Sequence, residues 1–323
     1  MPDILSLGEL LIDFCATQLD VPVAEALAFT KAPGGAPANV AVAARRLGAR
    51  SGFLGAVGDD PFGAFLADVL RREGVETDGL AKVAGLKTPL AFVAFRSDGA
   101  ADFFFYHDRG LAPLTEEHIS EGLLAGAAAL HFGSISRIEP AARAATDKAR
   151  RLARQHKLLV SYDPNYRPRL WGEPEEARRR IAEGFDGCTV AKVSREEWGF
   201  VMGDDDFAAG ARRLLDRGVE LVIRSEGGDG ASFAARRGEG HVPAFRVPSV
   251  DFVGAGDAFV ASVLVDLVGL GKAGAAVADL DLPELARIIR RANAVGALAT
   301  TQAGAIPALP TRQQVDAFLA GQG

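Results

Sequence analysis

No run of this chain is both long enough and free enough of charge to cross a bilayer. Cysteine is nearly absent. Cys15 and Cys188 stand far apart, with no CxxC, which leaves no disulfide framework or thiolate zinc site and fits a reducing, cytoplasmic compartment. The histidines, His107, His118, His131, His156 and His241, show no metal-ligand spacing. Basic charge is not in excess: 36 Lys and Arg against 42 Asp and Glu give a net charge of −6, which argues against a nucleic-acid surface. The runs Arg150-Arg151, Arg178-Arg179-Arg180 and Arg290-Arg291 fall in predicted helices and read as solvated faces. Met1 to Phe14 lacks a basic n-region, so it reads as a first strand rather than a signal peptide. There is no GxxxxGK[ST], HExxH, GxSxG or kinase HRD set, which removes P-loop NTPases, zincins, serine hydrolases and protein kinases. One GxGxxG, Gly269 to Gly274, follows a helix instead of a strand and reads as a helix-ending loop.

What is present is a chain of 323 residues, 48% hydrophobic and 24% charged, enough for a sizeable core. Short apolar strands alternate with helices. Strands are expected at Ile4–Leu7 with Leu10–Asp13 continuing it, and at Phe53–Val57, Leu130–Phe132, Leu158–Tyr162, Thr189–Val190 and Leu221–Ile223. Repeated β-α-β units predict an α/β fold with a mainly parallel sheet and helices on both faces. No repeat, low-complexity tract or linker divides the chain, so residues 1–323 read as a single domain. Leu90–Phe95 and Asp102–Tyr106, around Ser97-Asp-Gly99, form a hairpin signal that interrupts the alternation. With the segment near Phe14 to Phe29 they are expected to project from the sheet as a lid spanning approximately residues 12–34 and 88–109. Their aromatics would cover a site or pack on a second subunit.

The chain is organised around Asp251-Phe-Val-Gly-Ala-Gly-Asp257, which runs directly into a long apolar helix. A helix beginning there presents free N–H groups and the positive end of its dipole, an arrangement that binds phosphate. Gly254, Ala255 and Gly256 let a phosphoryl group approach the backbone. Asp257, an acceptor-only carboxylate beside that anion hole, is suited to take a proton from a hydroxyl attacking phosphorus. Asp is also common in first helical turns for capping alone, so the reading draws on a second motif.

That motif is Pro33-Gly-Gly-Ala-Pro-Ala-Asn39, a glycine turn leading into a helix over Ala38–Leu47. The amide of Asn39 can both donate to and accept from a polyol hydroxyl. Asp13 is expected just past the end of the first strand, where ligands collect in open α/β sheets. Asp163, Asn165 and Arg167 are expected at the same edge, and Ser194 and Glu197 at the start of the helix after Lys192-Val193.

Taken together, Gly34-Gly-Ala-Pro-Ala-Asn39 and Asp251–Asp257 resemble the paired signatures of ribokinase-like (PfkB) carbohydrate kinases, in order and spacing, across the whole chain. Gln302-Ala-Gly-Ala-Ile-Pro-Ala-Leu-Pro310 and Asp163-Pro-Asn-Tyr-Arg-Pro-Arg-Leu-Trp171 resemble segments of fructokinases, and the second is also similar to 2-keto-3-deoxygluconate kinases. The resemblance implies a three-layer α/β/α fold with a small β lid, and ATP-dependent phosphorylation of a sugar's primary hydroxyl. It makes Asp257 the base and Gly254, Ala255 and Gly256 the anion hole. It places Asp13, Gly34, Gly35, Asn39, Phe105 and Arg167 with the sugar. ATP would meet Lys192, Ser194, Ser225, Gly227, Gly230, Asn293 and Gly304. Glu197 would organise Mg²⁺ through water, and Asp251 and Val253 would hold a monovalent cation, K⁺. A homodimer through the lid strands is implied as well.

Three positions depart from the family pattern. Phe252 stands where Thr is usual, Ser194 where Asn is frequent, and His107 where many fructokinases have Arg, with Arg109 two residues on. Fructose is the expected sugar and 2-keto-3-deoxygluconate the alternative, with a nucleoside as a third. A catalytically silent sugar-binding protein on the same fold is the alternative from another class.

Overall fold

A computed structural model describes residues 1–97, 101–106, 110–271 and 277–322. Its strands are Ile4–Leu7 (β1), Leu11–Ala16 (β2), Phe29–Gly34 (β3), Ser51–Gly58 (β4), Leu80–Val83 (β5), Leu90–Phe95 (β6), Ala101–Tyr106 (β7), Ala129–Gly133 (β8), Leu159–Asp163 (β9), Val190–Ser194 (β10), Leu221–Ser225 (β11), Ala231–Ala235 (β12) and Gly238–Val242 (β13). Its helices are Ala36–Arg46 (α1), Pro61–Arg72 (α2), Glu121–Ala125 (α3), Pro140–Gln155 (α4), Pro174–Gly184 (α5), Arg195–Met202 (α6), Phe207–Asp216 (α7), Ala255–Gly269 (α8), Leu282–Ala299 (α9), Ala305–Ala308 (α10) and Arg312–Ala320 (α11).

Among the described residues, the large sheet runs β13-β12-β11-β10-β9-β8-β1-β4-β5. Every pairing from β5 across to β11 is parallel; the two at the β12–β13 edge are antiparallel. Each buried strand feeds alternate residues to two cores. Ile4 and Phe53 join the cluster beneath α1, α8 and α9, whereas Leu5, Leu7 and Leu54 join the one beneath α4, α5, α6 and α7. The helix α8 is apolar on nearly every side because it is packed on both α1 and α9, and Ala258 to Leu264 are all buried. Side chains cap several of the helices. Asp60 accepts from the Gly63 amide at 2.8 Å ahead of Pro61, and Asp281 and Glu284 form a capping box on α9.

A second, small sheet has the order β3-β2-β6-β7, antiparallel except between β2 and β6. It contains the segments expected to project. One expectation is corrected here: Leu10–Asp13 does not continue β1. The chain bends at Gly8 and crosses into the small sheet, so Asp13 lies inside β2, paired with Ala32 and Ala91. The aromatics of β7 divide by alternation. Phe104 and Tyr106 are exposed, while Phe103 and Phe105 turn inward, their rings stacked 5.9 Å apart. The turn residues Asp98 and Gly99, His107 and Arg109, and Lys272 to Gly274 of the GxGxxG lie outside the described residues; α8 does end at Gly269, as that loop requires.

Candidate active site

The carboxyl ends of the parallel strands and the inner face of the small sheet enclose a cavity of about 620 Å³. Its floor is the start of α8. Gly254 caps the helix with φ +82°, a conformation costly for a residue with Cβ, and a Cβ there would lie 3.0 Å from that of Ala305. The Ala255 amide closes a turn onto the Phe252 carbonyl at 3.3 Å. Among the described residues, the amides of Gly254, Gly256 and Asp257 keep no protein acceptor, whereas that of Ala255 is already engaged in the turn. A positive side chain adds to it: a Cβ on Gly256 would lie 3.2 Å from Lys192 Nζ.

Asp257 occupies the third position of α8 and is buried. Its Oδ2 accepts from Asn39 Nδ2 at 2.8 Å, across 218 residues of sequence. Burial pushes the carboxyl up to about 6; Asn39 opposes this, Asp163 adds to it, and Lys192 and Arg167 draw it down. Asn39 itself stands on the first turn of α1, whose cap, Gly35, has φ +111° and sits too close to the Glu9 carbonyl to carry a Cβ.

Asp13 reaches the same cavity from β2, its carboxylate against the Gly34 backbone. Burial pushes it up to about 7, and Arg167 works the other way. Arg167 lines the cavity too, with Nη1 near the carbonyls of Asn165 and Tyr166 at 3.4 and 3.3 Å. Asp163 and Lys192 form a buried ion pair at 2.9 Å. Burial opposes the Lys192 charge, but Asp163 and Glu197 outweigh it and hold its pKa above the ordinary lysine value. Phe103 and Phe105 close the wall on the side of Asp13 and the small sheet.

On the other side the wall is more apolar. Ser225, Gly227 and Gly230 come from the end of β11 and the turn after it, and Ala244, Phe245 and Val247 from the segment after β13. Asn293 faces the cavity from α9 while its Nδ2 donates to the Val242 and Pro243 carbonyls at 3.0 and 3.2 Å.

Of the expected site residues, Gly34, Glu197 and Gly304 stand behind this wall rather than in it. Glu197 is buried and completes the capping box of α6: one oxygen accepts from Ser194 N at 3.2 Å, the other from the Tyr166 amide. The Gly304 amide donates to Asp251 Oδ2 at 2.8 Å, and the Val253 amide to Asp251 Oδ1 at 2.9 Å, so Asp251 pins together the two loops around the anion hole. No group of three or more His, Cys, Asp or Glu among the described residues is arranged to hold a metal unaided. Sequence reasoning missed Glu9, which lines the cavity and is buried. A lone acid inside the apolar run Ile4–Ile12 was its signal.

A helix start with free amides, a buried carboxylate beside it and a second carboxylate across the cavity fit the chemistry of a carbohydrate kinase. The chain belongs to that class: it is a member of the pfkB family carbohydrate kinases, matching over residues 1–312. It is 43% identical to fructokinase-1 of Zea mays over 314 residues, covering 97% of this chain and 96% of that one. Among solved structures, it is similar to the fructokinase of Xylella fastidiosa with bound ATP, at 34% identity and a TM-score of 0.91, covering 100% of this chain and 99% of that one. It is also similar to the fructokinase of Vibrio cholerae O395 in its fructose, ADP and calcium ion bound form, at 31% identity and a TM-score of 0.87, covering 99% of each chain.

Proposed function

We propose that this kinase transfers the γ-phosphoryl group of ATP to a primary hydroxyl of fructose. The observation that carries the reading is the contact of Asn39 with Asp257, which joins the two sequence motifs at the mouth of the anion hole. The sugar lies between Asp13 and Asn39, with Phe105 against it and Arg167 at its edge. Asp257 takes the proton as the hydroxyl oxygen bonds to the γ-phosphorus and the bond to the β-bridging oxygen breaks, releasing ADP. The amides of Gly254, Gly256 and Asp257, with the Lys192 ammonium, meet the charge that develops on the transferred group. ATP lies along Ser225, Gly227, Gly230 and Asn293. The choice of fructose rests on the relatives named fructokinase, which match nearly end to end.

Mg²⁺ bound with the nucleotide would neutralise phosphate charge. Both Glu197 oxygens already accept backbone N–H groups, so the carboxylate would reach that ion only through water, by its remaining lone pairs. The Asp251 carboxylate and the Val253 carbonyl are hard oxygen donors of the kind a K⁺ activator would take. The small sheet acts as the lid, excluding water and limiting wasteful ATP hydrolysis. Its exposed Phe104 and Tyr106 suit a lid-to-lid homodimer; light scattering at micromolar concentration tests this, and a monomer would count against it. The two free cysteines fit the cytoplasm.

A second reading keeps the chemistry and changes the sugar. Arg167 lines the cavity and, among the described residues, bonds only to carbonyls of its own loop, so it could meet the carboxylate of 2-keto-3-deoxygluconate. The deciding experiment is ADP release with MgATP and K⁺ across fructose, glucose, ribose, 2-keto-3-deoxygluconate and adenosine. The largest kcat/KM is expected with fructose. Preference for the keto acid would transfer the assignment to the second reading, and binding of a sugar without turnover would leave a silent binding protein.

A further inference from the structure

Beneath the main cavity lies a second pocket of about 10 Å³, walled by Glu9, His131, Ser134, Asp163, Asn165 and Asp257. That is roughly the space of one water molecule, and the wall offers it several polar partners. Two of them need one. Glu9 Oε2 and Ser134 Oγ are fully buried and, among the described residues, have no hydrogen-bond partner. The other Glu9 oxygen, Oε1, accepts from the Ala36 amide at 3.1 Å and so holds the turn that carries Asn39.

We propose that one buried water joins Glu9 and Ser134 to the Asp257 carboxylate, making Glu9 a positioning residue for the base. The proposal rests on the reading of Asp257 as that base. Glu9 would orient Asp257 from below through the water, as Asn39 does from the side. The charge balance of the pocket fits. Burial first, and then the charge of Asp257, push the Glu9 carboxyl up to about 7, while its backbone hydrogen bonds and Arg167 oppose the rise. Burial raises the Asp257 carboxyl as well, to about 6, so the two acids titrate as a pair near neutral pH and can share a proton through the water. The other groups facing them are Asp163 from β9, Arg167 from the loop after it, Lys192 from β10, Asp13 from β2 and His131 from β8. Burial pushes His131 down to about 4, which leaves it neutral.

The test has two parts. A crystal structure at a resolution that shows waters should place one within hydrogen-bonding distance of Glu9 Oε2 and Ser134 Oγ; an empty pocket would overturn the proposal. The pH profile of kcat should then carry an ionisation near 7 above that of Asp257. Glu9→Gln keeps an acceptor for the Ala36 amide and removes the titration. It should lose the upper ionisation and keep the acid limb, with the KM for sugar within about twofold. A profile superimposed on that of the unaltered protein would sink the idea. Ser134→Ala, which changes no charge, provides the check if the Gln variant folds poorly: it should move the upper ionisation by about half a pH unit, and no movement would count against the water. Asp257→Asn separates the two readings. If that variant kept turnover, the base assignment would fail; if it were inactive while both Glu9→Gln and Ser134→Ala left the profile unchanged, only the role of Glu9 would fail.

Discussion

Asn39 Nδ2 donates to Asp257 Oδ2 at 2.8 Å, so a side chain from the first turn of α1 fixes a carboxylate on the first turn of α8. The other Asp257 oxygen takes no hydrogen bond from the described residues. Replacing Asp257 by Asn should keep the contact, because the new amide oxygen still accepts from Asn39. With the base gone, kcat should fall by about 10²- to 10⁴-fold while sugar binding changes little. Steady-state kinetics with calorimetric titration of the sugar would check this; near-normal turnover would remove Asp257 from the mechanism.

The Asn39 hydrogen bond favours the charged form of Asp257 and lowers its pKa against the effect of burial. Turnover should therefore fall as pH drops through about 6, where Asp257 takes up its proton. Asn39→Ala removes the lowering influence, so the acid limb of kcat should move to higher pH. A limb that stayed in place or moved down would contradict the assignment.

Stability carries the same signature with a sign that can be worked out. The folded pKa of Asp257, about 6, lies above its ordinary value of 3.8, so folding binds protons there. Its contribution is most favourable below 3.8 and is lost as pH rises through 6. Asp257→Asn removes a desolvated charge and should raise stability at pH 8 by on the order of 1–3 kcal/mol, with the gain disappearing near pH 4. Thermal unfolding at the two pH values would show it, and an equal effect at both would refute it.

Lys192 and Asp163 are both buried, and each is the other's ion-pair partner at 2.9 Å. Lys192→Met fills the space but strands the Asp163 charge, which should cost about 3–5 kcal/mol in denaturant unfolding. Asp163→Asn with Lys192→Met should recover much of that loss, since no lone charge remains. Activity should not return in the double variant, because the ammonium beside the anion hole is gone.

Arg169 reaches from the loop after β9 to the small sheet, with Nη1 2.5 Å from Asp102 Oδ1 and 3.0 Å from the Phe103 carbonyl. All of this is exposed, so Arg169→Ala should change stability by less than about 1 kcal/mol. If the contact helps hold the lid over the site, the variant should hydrolyse more ATP per sugar phosphorylated. An unchanged ratio of ADP to sugar phosphate would show that the contact is incidental.

The alternation of strands and helices was legible because each buried strand is a short apolar run and several helices carry a capping side chain or a Pro in their first turn. Asp257 and Asn39 were legible through small residues at helix starts, a pattern that local backbone geometry imposes. Asp13 was misplaced because Ile4 to Ile12 reads as one mainly apolar stretch; Ser6, Gly8 and Glu9 interrupt it, and nothing local says that the chain changes sheets there. Phe103 and Phe105 were foreseen as covering residues, but their division from Phe104 and Tyr106 depends on which face of β7 meets the cavity. Glu197 and Gly304 were expected at ligands; the bracing of loops by their polar atoms, like the pairing of Lys192 with Asp163, joins segments that meet only in three dimensions and leaves no local pattern in the sequence.

Because the bend at Gly8 carries Asp13 into the small sheet and leaves Asp257 on a helix of the large one, the two carboxylates belong to separate jaws. Under the proposed function the site would work as a calliper: a sugar would have to span both carboxylates to be held and activated at once, so a swing of the small sheet against the large one would alter which lengths of polyol can react.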